Sequence, residues 1–69
     1  MAGSVYKIIQ LVGTSKKSWE EAAATAVAKA SKSLRDLRVA EIGKLDMTVE
    51  NGKVAAYRAR VLVSFKYED

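Results

Sequence analysis

The side chains that most often carry chemistry in proteins are missing from this sequence. Its 69 residues include no cysteine and no histidine, which excludes disulfides and thiolate metal sites and removes the usual general base. A hard cation held by carboxylate oxygens remains open. No nucleophile stands beside a base, and Gly13-Thr14-Ser15 is too short for a phosphate-binding loop. The sequence therefore predicts a binding or structural protein and not an enzyme.

The charges are mixed along the whole chain. Twelve Lys and Arg stand against eight Asp and Glu, a formal net charge of +4, and a basic excess can attract nucleic acid. The basic residues are scattered, as at Lys16, Lys29 and Arg58, with acids between them. This pattern is typical of a solvated mixed surface, so we expect no nucleic-acid partner.

The chain offers no membrane segment at the level of sequence. No apolar run is long enough to span a bilayer. Residues 1–7 lack the basic-then-apolar order of a signal peptide. We therefore expect no membrane partner and a cytoplasmic location.

The elements that must position the polar side chains begin with a strand and a helix. Residues 5–12 are β-branched and apolar and predict strand one, which Gly13-Thr14-Ser15 ends through the conformational freedom of glycine. Ser18 and Glu21 have the spacing of a capping box and start a helix over residues 19–34. One apolar stripe follows this helix, and it comprises Trp19, Ala22, Ala23, Ala26, Val27, Ala30 and Leu34. Because the stripe is mostly alanine, a sheet can approach the helix closely.

Two long strands follow, joined by a tight turn. Residues 38–50 predict strand two, with Gly43 as a bulge where the alternation changes phase. Asn51-Gly52 predicts a type I′ hairpin turn, and residues 53–68 predict strand three, long enough to overhang its neighbours. The face of strand three expected to cover the helix comprises Ala55, Tyr57, Ala59, Val61, Val63, Phe65 and Tyr67. We expect Trp19 to pack over the helix start or at a subunit contact.

Chain direction predicts the topology. With strand three in the centre, every neighbouring pair is antiparallel, so the order is 1-3-2. The predicted class is α+β, a βαββ chain in which a three-stranded antiparallel sheet wraps one helix, with residues 1–69 as one domain. One helix leaves the second sheet face bare, and so small a domain buries little apolar surface. We therefore expect copies of the chain to cover the rest.

Several short motifs together resemble the dodecin family. They are Val5-Tyr6-Lys7, Leu11-Val12-Gly13-Thr14-Ser15, Leu34-Arg35-Asp36-Leu37, Ala40-Glu41-Ile42 and Val63-Ser64-Phe65. The resemblance implies a subunit of a hollow homododecameric shell of cubic 23 symmetry that binds, stores or buffers a small ligand. In its flavin-binding members, FMN or riboflavin stacks near each twofold axis against a Trp of strand two. A Gln of strand three bonds the edge of the flavin ring.

Both positions that define the flavin site differ in this sequence. Val39 stands at the position of the Trp, and Arg58 stands at that of the Gln. The residues of the implied ligand pocket are Arg38, Val39, Thr48 and Arg58. Flavin binding is expected to be weak or lost, by about tenfold to several hundredfold, because the aromatic sandwich is absent.

Two of these positions have alternative interpretations. Val39 either fills the pocket by packing, which we favour, or lines a retained flavin site. Arg58 is equally expected as an interface salt-bridge residue and as a ligand contact, and either Glu41 or Asp46 is expected to neutralise it if it is not free for an anion.

The Arg-Val-Ala-Glu stretch at residues 38–41 resembles the branch of the family described as binding calcium. The metal candidates are Glu41 and Asp46, with Thr48, Glu50 and backbone carbonyls as further oxygen donors. Calcium takes about six to eight oxygens, so several copies would have to complete a site at a symmetry axis. The alternative to a flavin shell is therefore a shell that binds calcium or another cation, or a purely structural one. Each acid alone is more simply a solvated strand residue or a rim salt bridge.

Overall fold

The computed structural model describes residues 3–66. They form β1 (Tyr6–Ser15), α1 (Trp19–Ser33), β2 (Leu37–Glu50) and β3 (Lys53–Lys66). β3 lies in the centre of one sheet and pairs antiparallel with both other strands. The predicted α+β class, the βαββ order and the 1-3-2 sheet are confirmed. Tyr67 and Glu68, at the predicted end of strand three, lie outside the described residues.

β1 extends three residues beyond its predicted end. Gly13, Thr14 and Ser15 continue the strand and pair with β3, so the prediction that they end it is wrong. Gly13 has no positive φ, but a Cβ placed on it would lie 2.0 Å from the carbonyl oxygen of Ala22. The glycine is therefore required because α1 lies directly against the strand, and not because the backbone turns there.

The two ends of α1 are capped by local hydrogen bonds. The Ser18 hydroxyl accepts a hydrogen bond from the backbone N–H of Glu21 at 3.0 Å, which confirms the predicted start. At the other end, the backbone N–H of Leu34 donates to the carbonyl oxygen of Ala30 at 2.9 Å. Among the described residues, no helix has the length and apolar character needed to cross a bilayer.

The core lies between α1 and the middle of β3, and it is built from small side chains. Its buried members are Ala22, Ala26, Ala59, Val61 and Val63. Ile9, Leu11, Ala23, Val27, Leu34 and Leu37 pack around them partly buried. Helix and sheet approach closely because alanine lines the contact, as predicted, but such a core contains little apolar volume.

β2 and β3 form a long hairpin. φ is positive at both Asn51 (53°) and Gly52 (76°), as a type I′ turn requires. The register shifts between Ile42 and Lys44, which confirms the bulge at Gly43. β2 and β3 each have 14 residues and pair along their length. The predicted overhang of strand three is therefore wrong on the β2 side, and within the described sheet it exists only beside β1.

The helix covers β1 and β3 but leaves β2 largely uncovered. On the helix side of β2, Ile42, Leu45 and Met47 are 43–50% exposed. The opposite side of the sheet, called the outer face below, has no helix at all among the described residues. It carries exposed apolar side chains at Tyr6, Ile8, Val12 and Val39. Bare apolar surface is thus present on both sides of the sheet.

Candidate functional site on the outer face

Strand pairing places most of the predicted site residues on the outer face. The cross-strand pairs are Val39 with Ser64, Glu41 with Leu62, Asp46 with Arg58, and Thr48 with Ala56. Arg38 is the exception, because it lies at a register shift at the start of β2. Its Nη2 atom is 3.8 Å from Oδ1 of Asp36 in the preceding turn.

An arginine–aspartate pair lies in the middle of this face. Nε of Arg58 donates to Oδ1 of Asp46 at 2.7 Å, and Nη2 donates to Oδ2 at 2.8 Å. This two-bond fork is the strongest geometry for such a pair. Of the two acids expected to neutralise Arg58, the geometry selects Asp46. Both side chains remain 39–48% exposed, so water screens the pair and its contribution to stability is small.

The pair shifts the protonation of both of its members. Hydrogen bonds from Arg58, followed by the charges of Arg58 and Arg60, hold the pKa of Asp46 below its ordinary value. Hydrogen bonding to Asp46 raises the pKa of Arg58. Asp46 is therefore ionised at any pH near neutrality, and the pair is lost only as the pH falls through that lowered pKa.

The other candidates are spread along the outer face. The β3 partners of Val39 and Asp46 are Ser64 and Arg58, which places Val39 about 20 Å from Arg58 at the rise of a strand. Glu41 and Asp46 are separated by about 13 Å on the same basis, since their partners are Leu62 and Arg58. Thr48 lies two residues beyond Asp46, about 7 Å away. One copy thus brings Thr48, Asp46 and Arg58 together but leaves Val39 and Glu41 apart from them.

In one copy, the predicted ligand-pocket residues do not line a cavity of the usual size for a small-molecule site. The depression beside Arg38 and Val39 has a volume of about 190 Å³ and is shared with Val27 and Val63 on the helix side. Small-molecule sites usually enclose about 300–1,000 Å³. The Val39 side chain is 59% exposed, so any packing role for it must involve another copy.

The oxygen donors of one copy are too few to hold a calcium ion by themselves. Among residues 3–66, no group of three acidic side chains is placed to hold a metal ion. Both carboxylate oxygens of Asp46 already accept hydrogen bonds from Arg58. Because calcium needs about six to eight oxygens, any calcium shell must draw donors from more than one copy.

Two features of the structure go beyond what the sequence predicts. The first is a pair of contacts made by Trp19. Its ring packs edge-on against Tyr57, with ring centroids 5.1 Å apart, and this confirms its predicted packing at the helix start. Its Nε1 also donates to the backbone carbonyl oxygen of Asp46 at 2.9 Å. A side chain at the start of α1 thereby fixes the stretch of β2 that carries the Arg58–Asp46 pair. This hydrogen bond joins residues 27 positions apart, so no local sequence pattern predicts it.

The second feature that the sequence does not predict is an apolar cleft of about 490 Å³ between β1 and α1. Its lining includes Ile9, Leu11, Ala26, Ala30 and Leu34. None of the predicted site residues lines it. No sequence pattern indicates this cleft, because its walls lie on two elements and its width depends on how they pack.

The fold and the outer face together define a class: a small βαββ protein with a charged pair and apolar side chains on an open sheet. The family model for Dodecin matches residues 5–68, and this chain belongs to the dodecin family. Proteins of this family bind ligands. The predicted resemblance is confirmed.

Individual relatives agree with this assignment. Calcium dodecin from Mycobacterium tuberculosis is 49% identical over 63 residues, which cover 91% of this chain and 89% of the relative. Its crystal structure, described as that of a calcium-chelating antigen with a novel calcium-binding site, has a TM-score of 0.83 at 50% identity and covers 94% of this chain and 93% of the relative. Dodecin from Thermus thermophilus is 37% identical over 97% of both chains. Dodecin from Streptomyces coelicolor has a TM-score of 0.91 at 30% identity, over 100% of this chain and 99% of that one.

Proposed function

We propose that this chain is a subunit of a hollow homododecameric shell that holds a small ligand between its copies. The observation that carries the proposal is the apolar surface left open on both sides of the sheet. Its members are Ile8, Val12 and Val39 on the outer face and Ile42, Leu45 and Met47 on the helix side. The core of one copy consists of alanine and valine and buries little apolar surface. Burying these side chains against other copies therefore adds stability to the fold, at about 25 cal/mol per Å² of apolar surface.

Light scattering coupled to gel filtration tests the shell at micromolar concentration. We expect a mass of about 90 kDa, twelve copies of 7.5 kDa. Leu45→Glu, which places a charge on the uncovered side of β2, is expected to shift the mass toward smaller species, because burying an unpaired charge is costly. Ala24→Glu on the exposed side of α1 is the matched control and should leave the mass unchanged. A stable 7.5 kDa species in the wild type would contradict the proposal.

For the ligand, we propose calcium rather than flavin. Support comes from the 49% identity to a calcium dodecin and from two carboxylates, Glu41 and Asp46, on the outer face. Within residues 3–66, Glu41 takes part in no ion pair, while Asp46 is held by Arg58. Glu41 is therefore the carboxylate that we expect to meet its counterparts from other copies around the ion.

Calorimetry on the chelator-treated assembly tests the calcium proposal. We expect calcium to bind with measurable heat and to raise the melting temperature, because a ligand that binds only the folded state stabilises it. Glu41→Gln, which removes a charged oxygen donor, is expected to weaken calcium binding about tenfold or more. Glu20→Gln removes the same charge from exposed α1 and should bind like the wild type. If neither heat nor a thermal shift is seen, calcium is wrong and a purely structural shell is left.

A further inference from the structure

Two cations face each other directly on the outer face. Lys44 of β2 is the cross-strand partner of Arg60 of β3. In such pairs the Cβ atoms lie about 4.5–5.5 Å apart, and like charges there destabilise the sheet. The bulge at Gly43 creates the arrangement, because without it Lys44 would share the helix side with Ile42.

Within residues 3–66, no acid of the surrounding strands makes a direct ion pair with these two cations. Asp46 is close enough for the charge of Arg60 to lower its pKa, yet the hydrogen bonds that its two oxygens accept come from Arg58. Among residues 3–66, Glu41 is the other acid on this face, and it lies two pairs further along, opposite Leu62. Among residues 3–66, neither Lys44 nor Arg60 has an ion pair with any acid.

The position of Arg60 favours a bound counter-ion over simple solvation. It lies in the central strand between Val12 of β1 and Lys44 of β2, and it is only partly exposed. A guanidinium in such a position is partly desolvated by its apolar neighbour, which strengthens its attraction for an anion. Its planar fork presents two parallel N–H donors to one oxyanion.

We propose that Arg60 and Lys44 form a binding site for a phosphate-type oxyanion on the outer face. The guanidinium donates two hydrogen bonds and the ammonium donates another, and the anion removes the repulsion between the two cations. The site needs only the geometry of one copy, so it does not rest on the calcium proposal. The phosphate is either free inorganic phosphate or the phosphate group of a nucleotide, since both present the same oxygens.

Titration of the assembled protein with inorganic phosphate, at constant ionic strength, tests this site by calorimetry and by thermal shift. Phosphate is expected to bind the wild type at millimolar concentration or below. Lys44→Gln and Arg60→Gln are each expected to weaken it about tenfold or more. Lys53→Gln removes the same charge at the hairpin end of β3, opposite Glu50, and should bind phosphate like the wild type. Arg60→Lys keeps the charge and loses the fork, so intermediate binding is expected.

Stability provides a readout that does not depend on binding. Without phosphate, Lys44→Gln should melt no lower than the wild type, because it relieves the repulsion between the two cations.

Titrations with adenosine monophosphate and with adenosine distinguish the two sources of the phosphate group. Binding of the monophosphate more tightly than phosphate identifies a nucleotide, and equal binding identifies the free anion.

Two results would overturn the site. They are the absence of phosphate binding to the wild type at millimolar concentration, and equal losses of phosphate binding in Lys44→Gln and Lys53→Gln.

Discussion

Gly13→Ala is expected to lower the stability of the protein by about 3 kcal/mol, a large effect for so small a change. The added methyl carbon would lie 2.0 Å from the carbonyl oxygen of Ala22 and 3.1 Å from Cβ of Ala26. Neither atom belongs to a flexible side chain that can rotate away. α1 must therefore move off β1, and this opens the core at the point where its side chains are smallest.

Thermal unfolding at fixed protein concentration measures this effect. For a domain of this size, about 3 kcal/mol corresponds to a fall in Tm of roughly 12–24 °C. Gly3→Ala is the matched control, because nothing lies within 4 Å of the methyl group that it would add, and it should change the stability by less than about 0.5 kcal/mol. Equal melting temperatures for Gly13→Ala and the wild type would show that the helix does not lie against this residue.

Val39→Trp is expected to raise the affinity for FMN and riboflavin by about fivefold to about 150-fold. The reason is that an aromatic stack on the flavin ring contributes about 1–3 kcal/mol, which valine cannot supply. Val39 is 59% exposed on the outer face, so one copy has room for the larger side chain. In the shell, the indole rings of neighbouring copies would then be able to enclose the flavin.

Quenching of flavin fluorescence during titration measures this gain. Val39→Leu is the control, because it enlarges the apolar side chain without adding an aromatic ring, and it should bind flavin as weakly as the wild type. In the Trp variant, Arg58→Gln is expected to strengthen binding further, since an amide both donates and accepts hydrogen bonds whereas a guanidinium only donates. If Val39→Trp and Val39→Leu bind alike, position 39 does not face the ligand.

Local patterns predicted the elements of the fold because each acts over only a few residues. Ser18 with Glu21 marked the start of α1, Asn51-Gly52 marked the hairpin, and Gly43 marked a bulge. The prediction that Gly13 ends strand one was wrong because the role of this residue depends on a distant part of the chain. Its requirement for glycine comes from Ala22 on another element, and the same residue type ends strands when no helix lies above it.

The candidate site was predictable as a set of residues but not as an arrangement. Alternation along β2 placed Asp46 and Thr48 on one face, and the structure agrees. Glu41 lies on that face only because the register shifts between Ile42 and Lys44. Alternation does not reveal that Val39 and Arg58 are far apart in one copy. It also does not show which acid holds Arg58, because that depends on the register between β2 and β3.

The sequence by itself determined the α+β class, the strand order and the small alanine core, since these follow from periodicity, capping and turn chemistry. Only the tertiary structure decided that Asp46 is held by Arg58, that Lys44 faces Arg60, and that the apolar side of β2 stays uncovered. The physical reason is that register, bulge position and helix placement result from packing between residues distant in the chain. Such packing selects one arrangement among several that the same local patterns allow.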